Sequence, residues 1–264
     1  MRFRQNIRLF FFTLVIVIIF SADLASQSSG LFSAGLGLNL THLRDRSMSP
    51  LIYSGRGLFA SFSLEQSSKT KTSVFRLQHE RTSIRSEPGN QADYLGFAFK
   101  NYTFYGTDYE EERYLAFGWA NQNALGSFTH QSYSNYGSRY YYFTAFGPAL
   151  RYRAGFELWD RQFRAGLDAD LQLLGFSLRP SYISSSMEGY LDPENSGLRG
   201  FIESMELFFP GRAWNFGITP SFTYYFMSGN SLTLEYQWNY VRINRPATVT
   251  ESRGNWLIKL NTRL

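Results

Sequence analysis

A strict alternation of apolar and polar residues is the feature that most constrains what this chain can fold into. Residues 162–175, QFRAGLDADLQLLG, carry an apolar side chain at every second position from Phe163 to Leu173, and Arg, Gly, Asp or Gln between them. Successive side chains of a β-strand point to opposite faces, so this period of two predicts a strand with one apolar and one polar face. The apolar face must meet either a protein core or lipid.

The same alternation recurs along most of the chain. It predicts eleven strands, at residues 31–42, 52–65, 71–82, 92–103, 112–121, 124–134, 140–158, 162–178, 213–227, 231–243 and 254–264. A barrel whose two ends lie on one side of a membrane has an even number of strands. Residues 197–209 are the candidate for the twelfth, and 10 and 14 strands are the alternatives. Pro148 and Pro220 fall inside candidates, which predicts bulges or displaced boundaries there.

Residues 1–26 have the organisation of a secretory signal peptide. Arg2, Arg4 and Arg8 precede an apolar run from Leu9 to Phe20 and then a segment of small residues. We expect cleavage after Ser26, with Ala25 and Ala22 as alternative sites, which leaves residues 27–264 as one domain. An uncleaved signal anchor is the other interpretation, although a helical span needs about 20 apolar residues.

Composition removes several classes of protein. Losing residues 1–26 lowers the formal net charge from +5 to about +3, and the arginines are dispersed among acids, so we expect no nucleic-acid partner. The chain has no cysteine, which excludes disulfides and thiolate metal sites. A mean hydropathy of −0.28 argues against a bundle of membrane helices.

The long alternating runs and the many aromatic residues, 18% of the chain, are typical of a transmembrane barrel with lipid outside. We therefore predict an all-β fold, an antiparallel up-and-down barrel of about 12 strands that crosses a membrane. The alternative is a secreted soluble β-sandwich, whose apolar faces would have to meet each other.

The last predicted strand adds a resemblance. It carries Trp256, Ile258, Leu260 and Leu264 on one face. This pattern resembles the C-terminal strand of bacterial outer-membrane β-barrel proteins, which their insertion machinery recognises, although the usual final Phe is Leu264 here. The resemblance implies the outer membrane as the location, and the barrel-insertion machinery and membrane lipids as partners.

Charges on the polar faces of two successive strands predict a network inside the barrel. They are Arg151, Arg153 and Glu157 on one strand and Arg164, Asp168 and Asp170 on the next. Opposite charges in a narrow lumen can pair across strands and fill it. The network is then either a structural plug or a selectivity site.

A lipid-modifying enzyme is the alternative function. His130 and Ser132 lie two residues apart in FTHQSYSN, which resembles the His-x-Ser of lipid A deacylase barrels and implies an esterase with His130 and Ser132 facing lipid. Tyr133 stands where that family has Asn, and no third catalytic residue is identifiable. No histidine has the spacing of a metal site, so we expect no metal and no cofactor.

The non-enzymatic alternative is a narrow pore, a binding protein or a surface scaffold. Segments 43–51 and 242–254 are predicted to be extracellular by strand parity. They carry the arginines that could pair with phosphates of the outer-leaflet glycolipid, namely Arg44, Arg46, Arg242, Arg245 and Arg253.

Overall fold

The protein folds into twelve β-strands within the part of the chain that the computed structural model describes, residues 29–46, 51–106, 112–130, 138–178, 206–244 and 248–264. The strands are β1 Ser29–Asp45, β2 Tyr53–Ser67, β3 Lys71–Arg85, β4 Gln91–Gly106, β5 Arg113–His130, β6 Ser138–Leu158, β7 Arg161–Gln172, β8 Leu174–Leu178, β9 Glu206–Phe208, β10 Ala213–Tyr225, β11 Ser231–Ile243 and β12 Val249–Arg263. No helix in these ranges is long and apolar enough to cross a membrane.

Ten of the strands, β1–β7 and β10–β12, form a closed antiparallel ring. Neighbours in sequence pair with each other, β7 pairs with β10, and β12 returns to β1 with Leu31 opposite Arg263 and Asp45 opposite Val249. The two short strands β8 and β9 lie outside the ring, where β8 runs along β6 and β9 pairs with β8. The predicted all-β antiparallel barrel is confirmed, because each of the ten ring strands pairs with a neighbour on both sides.

The predicted count of twelve strands in the barrel is wrong, and the alternative of ten is correct. Candidates 112–121 and 124–134 belong to one strand, β5, which continues through the polar run Asn121 to Asn123 and pairs there with β4 and β6. The outward amides of these two residues bond to each other, with Asn123 Nδ2 donating to Asn121 Oδ1 at 2.8 Å. Of candidate 197–209, residues 197–205 lie outside the described ranges and 206–208 form β9 outside the ring.

Both strand prolines coincide with irregular pairing. Near Pro148, the register between β6 and the β7–β8 segment shifts by one residue, from Ala149 opposite Asp170 to Phe146 opposite Leu174. This is the predicted bulge. Pro220 lies in β10, where the register with β11 stays the same but the pairing is interrupted between Ile218 and Ser221, because proline has no N–H to donate.

The two ends of the barrel differ. At one, here called the terminal end, Leu264 donates its N–H to Gly30 O at 3.0 Å and the chain turns tightly at 159–160, where both residues have positive φ. The other, the loop end, holds the described turn 86–90 and the strand ends at Asp45, His130 and Ile243.

The polarity of the two faces is the reverse of a soluble protein. Large apolar side chains stand exposed on the outside, with Leu36 at 71% and Leu58 at 72%. Others in this outer belt are Phe62, Phe117, Trp119, Leu234, Ile258 and Leu260. The inward positions between them are largely polar and buried, so the barrel has its apolar surface outside and its charges inside.

Candidate functional site: the charged lumen

Three layers of buried charge fill the lumen, and the layer nearest the terminal end is centred on Arg151. Its side chain is 1% exposed. Arg151 Nε and Nη2 donate to the two oxygens of Asp168, each at 3.0 Å. Nη1 lies 3.1 Å from Glu65 Oε2, and the guanidinium lies 4.4 Å from the ring centroid of Phe104. Arg153 Nη1 approaches Asp168 at 2.7 Å, so this carboxylate binds two guanidinium groups.

The middle layer is centred on Glu235 of β11. Lys259 Nζ lies 3.1 Å from Glu235 Oε2, and Arg76 Nη2 lies 3.7 Å from the same oxygen. Gln237 Nε2 donates to Glu235 Oε1 at 2.5 Å and its own amide oxygen accepts Gln78 Nε2 at 2.6 Å. Two cations therefore balance the charge of one buried carboxylate and an amide hydrogen-bonds to it, as a buried charge requires.

The layer nearest the loop end is centred on Arg253 of β12. Its guanidinium forms ion pairs with Glu80 and with Glu251, the latter at 3.0 Å from Nε to Oε1. Asn39 Nδ2 donates to Glu80 Oε2 at 3.0 Å and to Asn255 Oδ1 at 2.6 Å. The network therefore connects β12, β3 and β1 inside the ring.

Several of these contacts cross the lumen instead of following its wall. Lys100 Nζ of β4 donates to Asn239 Oδ1 of β11 at 2.7 Å, and β4 and β11 are five strands apart in either direction around the ring. Tyr102 Oη donates to Asp170 Oδ1 of β7 at 3.0 Å. Side chains from opposite walls therefore meet at the centre of the barrel.

Inward glycines make room for the charged side chains. A Cβ placed on Gly96 or on Gly217 would lie 2.6 Å from a carboxylate oxygen of Glu80 or Asp170. A Cβ on Gly166 would lie 2.9 Å from Arg153 Nη1. These distances are too short for carbon, so the glycines allow the long charged residues of neighbouring strands to lie flat across them.

Apolar clusters lie above and below the charges. One, at the loop end, contains Leu43, Tyr53, Ile84, Ala92, Tyr94, Phe128 and Val249, and a second, also towards that end, contains Phe143, Phe208, Val241 and Ile243. A third, towards the terminal end, contains Val74, Tyr102, Phe104 and Ala116. Between the layers lies a cavity of about 20 Å³, lined in part by Gln78, Lys100 and Gln122. Such a space holds about one water molecule.

The structure brings together only part of the lumen network that the sequence suggested. Arg151, Arg153 and Asp168 meet in one cluster. Asp170 is buried but bonds to Tyr102 and Gln172. Arg164 lies 5.3 Å from the ring centroid of Tyr225, and Glu157 is exposed beside the 159–160 turn. Sequence reasoning missed the partly exposed Glu65 and a set of buried charges, namely Arg76, Glu80, Lys100, Glu235, Glu251 and Lys259. The alternation could have identified them, because each of these charges stands at an inward position of its strand.

His130, the described member of the proposed catalytic pair, does not face lipid. The His130 side chain is 2% exposed, and its Nε2 lies 3.0 Å from Tyr53 Oη inside the loop-end mouth of the barrel. The expectation that His130 faces lipid is therefore wrong, because its parity on β5 is that of the inward residues Gln122 and Phe128. Ser132 lies outside the described residues.

The predicted glycolipid arginines divide between the two faces. Arg44 and Arg242 lie on the outward faces of β1 and β11, both opposite Thr250 of β12. Arg46 is exposed just after β1, and Arg245 lies outside the described residues. Arg253 does not belong with them, since it lies in β12 with its guanidinium buried in the lumen. Arg253 lies an odd number of residues before the outward Trp256, so its side chain points into the barrel.

The residues of the proposed insertion signal share the outer surface. Trp256, Ile258 and Leu260 are exposed on β12, and Leu264 follows its end. The apolar face of the last strand is therefore part of the outer belt.

Comparisons with known proteins find the fold and no family. No family model matches the chain, and no curated protein matches it. Among solved structures, the translocator domain of autotransporter NalP from Neisseria meningitidis is 9% identical, with a TM-score of 0.39 over 91% of this chain and 90% of that one. Neisserial surface protein A is 8% identical, with a TM-score of 0.40 over 88% and 97%. An outer membrane channel from Pseudomonas putida F1 is 11% identical, with a TM-score of 0.38 over 90% and 96%.

At such low identities and TM-scores, the function has to be inferred from the barrel's own residues. The closed antiparallel ring, the apolar outer belt and the charged interior are together the architecture of a bacterial outer-membrane β-barrel protein.

Proposed function

We propose that this chain is an integral protein of the bacterial outer membrane whose lumen is closed by its own side chains. It then acts as a non-conducting barrel that anchors and presents its loop end at the cell surface, with residues 1–26 removed as a signal peptide and the last strand directing insertion. The outer belt supports the membrane location, because exposed Leu36 and Leu58 would be costly in water and are favourable in lipid.

The contact between Lys100 and Asn239 is the observation that carries the closed lumen. These residues lie on diametrically opposite strands and meet at 2.7 Å, so their side chains bridge the lumen from wall to wall. The ion pairs of Arg76 with Glu235 and of Arg253 with Glu80 also join strands that are not neighbours in the ring. A porin of 16–18 strands, by comparison, leaves an aqueous channel open.

Membrane placement is tested by fractionation and by gel mobility. The barrel should follow the outer membrane and should migrate differently before and after boiling. Recovery as a freely soluble periplasmic protein would contradict the membrane assignment and favour the soluble β-sandwich alternative instead.

Closure is tested by conductance in a planar bilayer. The wild-type barrel should conduct ions poorly, and the double variant Asp168→Asn, Asp170→Asn should conduct more or unfold more easily, since Arg151 then loses its bidentate partner. Glu157→Gln is the matched control, because it neutralises an exposed acid on the same hairpin. Large, steady conductance of the wild type would show a pore.

A further inference from the structure

Two arginines that the sequence analysis did not single out face outwards where the apolar belt ends. On β2 the outward residues run from Phe62 through Leu58 to Arg56, and on β3 they run from Leu77 through His79 to Arg81, both towards the loop end. Leu58 is opposite Arg81, and Arg56 is opposite Ser83. The two guanidinium groups are therefore diagonal neighbours on one outer face, within reach of each other for side chains of this length.

Within the part of the chain that the structure describes, no acidic side chain forms an ion pair with Arg56 or Arg81. Both are exposed, and within the described ranges neither forms a side-chain hydrogen bond. An acid in the same register, Asp93 of β4, lies opposite Ser83 and accepts its hydroxyl at 2.6 Å. Two like charges on neighbouring positions of adjacent strands repel each other, and an anion bound between them would relieve that repulsion.

The positive surface continues on the outer face of β1 and β11. Arg44 of β1 and Arg242 of β11 are both opposite Thr250 of β12, so two further arginines flank a small hydroxyl residue at the same end of the barrel. Together, Arg44, Arg56, Arg81 and Arg242 form an outward row across five adjacent strands, β11, β12, β1, β2 and β3. We call this row the arginine rim.

The surroundings of the rim decide which anion fits it. Directly below Arg56 lies Leu58, which is 72% exposed, and further down the same strand lies Phe62, which is also exposed. A free anion would use only the guanidinium groups, whereas a phosphorylated lipid would also cover these apolar side chains with its acyl chains. Guanidinium binds phosphate through two parallel hydrogen bonds, which an ammonium cannot form.

We infer that the arginine rim is a binding site for the phosphate groups of an outer-leaflet glycolipid, with Arg56 and Arg81 as its core. This inference rests on the proposed outer-membrane location. It goes beyond that location by assigning a ligand class and a site on the wall of the barrel, outside the filled lumen.

The test compares lipid A that carries its phosphates with the dephosphorylated lipid, added to the purified full-length barrel in detergent and read as retained lipid by native mass spectrometry. Wild type should retain the phosphorylated lipid about tenfold more tightly, because hydrogen bonds between charged groups are lost with the phosphates. The double variant Arg56→Gln, Arg81→Gln should lose this preference, and Arg56→Lys, Arg81→Lys should recover only part of it.

Arg113→Gln is the matched control, since Arg113 is an exposed arginine on β5 at the terminal end and should leave binding unchanged. Equal retention by wild type and the Gln variant would overturn the site. Complete competition by millimolar inorganic phosphate would also overturn it, because the rim would then bind a free anion. Each variant must keep the heat-dependent gel shift, and fractionation reports on the membrane location independently of lipid binding.

Discussion

Replacing Asp168 by alanine should destabilise the barrel more than any change at an exposed charge. The substitution removes both 3.0 Å hydrogen bonds to Arg151 and the 2.7 Å contact with Arg153. Arg151, with its side chain 1% exposed, then keeps Glu65 as its acidic partner within the described residues. Removing one partner of a buried ion pair costs about 3–5 kcal/mol. That is roughly two to four powers of ten in the unfolding equilibrium constant.

The loss of stability comes from the uncompensated charge and not from the lost volume. Replacing both partners of the pair should therefore recover most of the lost free energy of unfolding. In Arg151→Met, Asp168→Leu both charges are gone, and apolar side chains of similar size take their place, which is often nearly neutral. Glu65 and Arg153 also lose a partner in this double variant, but their side chains are 29% and 14% exposed and can be hydrated. Reversible urea unfolding in lipid vesicles, followed by tryptophan fluorescence, measures the free energies. A loss below about 1 kcal/mol in Asp168→Ala would refute the buried-charge argument.

Three further predictions concern topology, assembly and catalysis. In this cysteine-free chain, Thr248→Cys at the loop end should react with an impermeant maleimide on intact cells, and Ser68→Cys at the terminal end should react only after the outer membrane is opened; the reverse would invert the topology. Ile258→Asp should reduce the heat-modifiable form in cells, because Ile258 is 61% exposed to lipid in the last strand, whereas Thr262→Ser should not. His130→Ala should change stability alone, and release of acyl chains from phospholipids or lipid A by the wild type, lost in this variant, would restore the esterase hypothesis.

Alternation was enough to predict the strands and their faces, since it depends only on neighbouring residues. Candidate 71–82 lies within β3, Lys71–Arg85, and candidate 231–243 coincides with β11. The count failed at Asn121–Asn123, where outward amides imitate a turn. Amides usually mark turns because they bond to local backbone, but here the two asparagines satisfy each other in the middle of a strand.

The partners of the lumen charges could not be read from the sequence, because they depend on the closure of the ring. Arg151 and Asp168 lie on one hairpin and were predicted to share the lumen. Glu65, the third member of their cluster, comes from β2, four strands away around the ring. Which inward residues reach the same height depends on strand tilt and stagger, and both are properties of the whole barrel. The prediction for Arg253 was wrong for a related reason. The sequence placed it in the extracellular segment 242–254, whereas it lies within β12 at a position that alternates with the outward Trp256 and therefore faces the lumen.

The charged interior also affects the polarity of the unfolded chain. If the inward positions were apolar, as in a soluble core, the strands would become continuous hydrophobic segments, and runs of about 20 such residues are retained in the inner membrane as helices. Alternation with buried Glu235, Lys259 and their partners keeps the mean hydropathy at −0.28. The apolar surface of the barrel therefore forms only when the ring closes and sorts the alternating side chains onto two faces. Ion pairs inside the ring, such as Glu235 with Lys259, then neutralise the charges that interrupt the apolar runs of the unfolded chain.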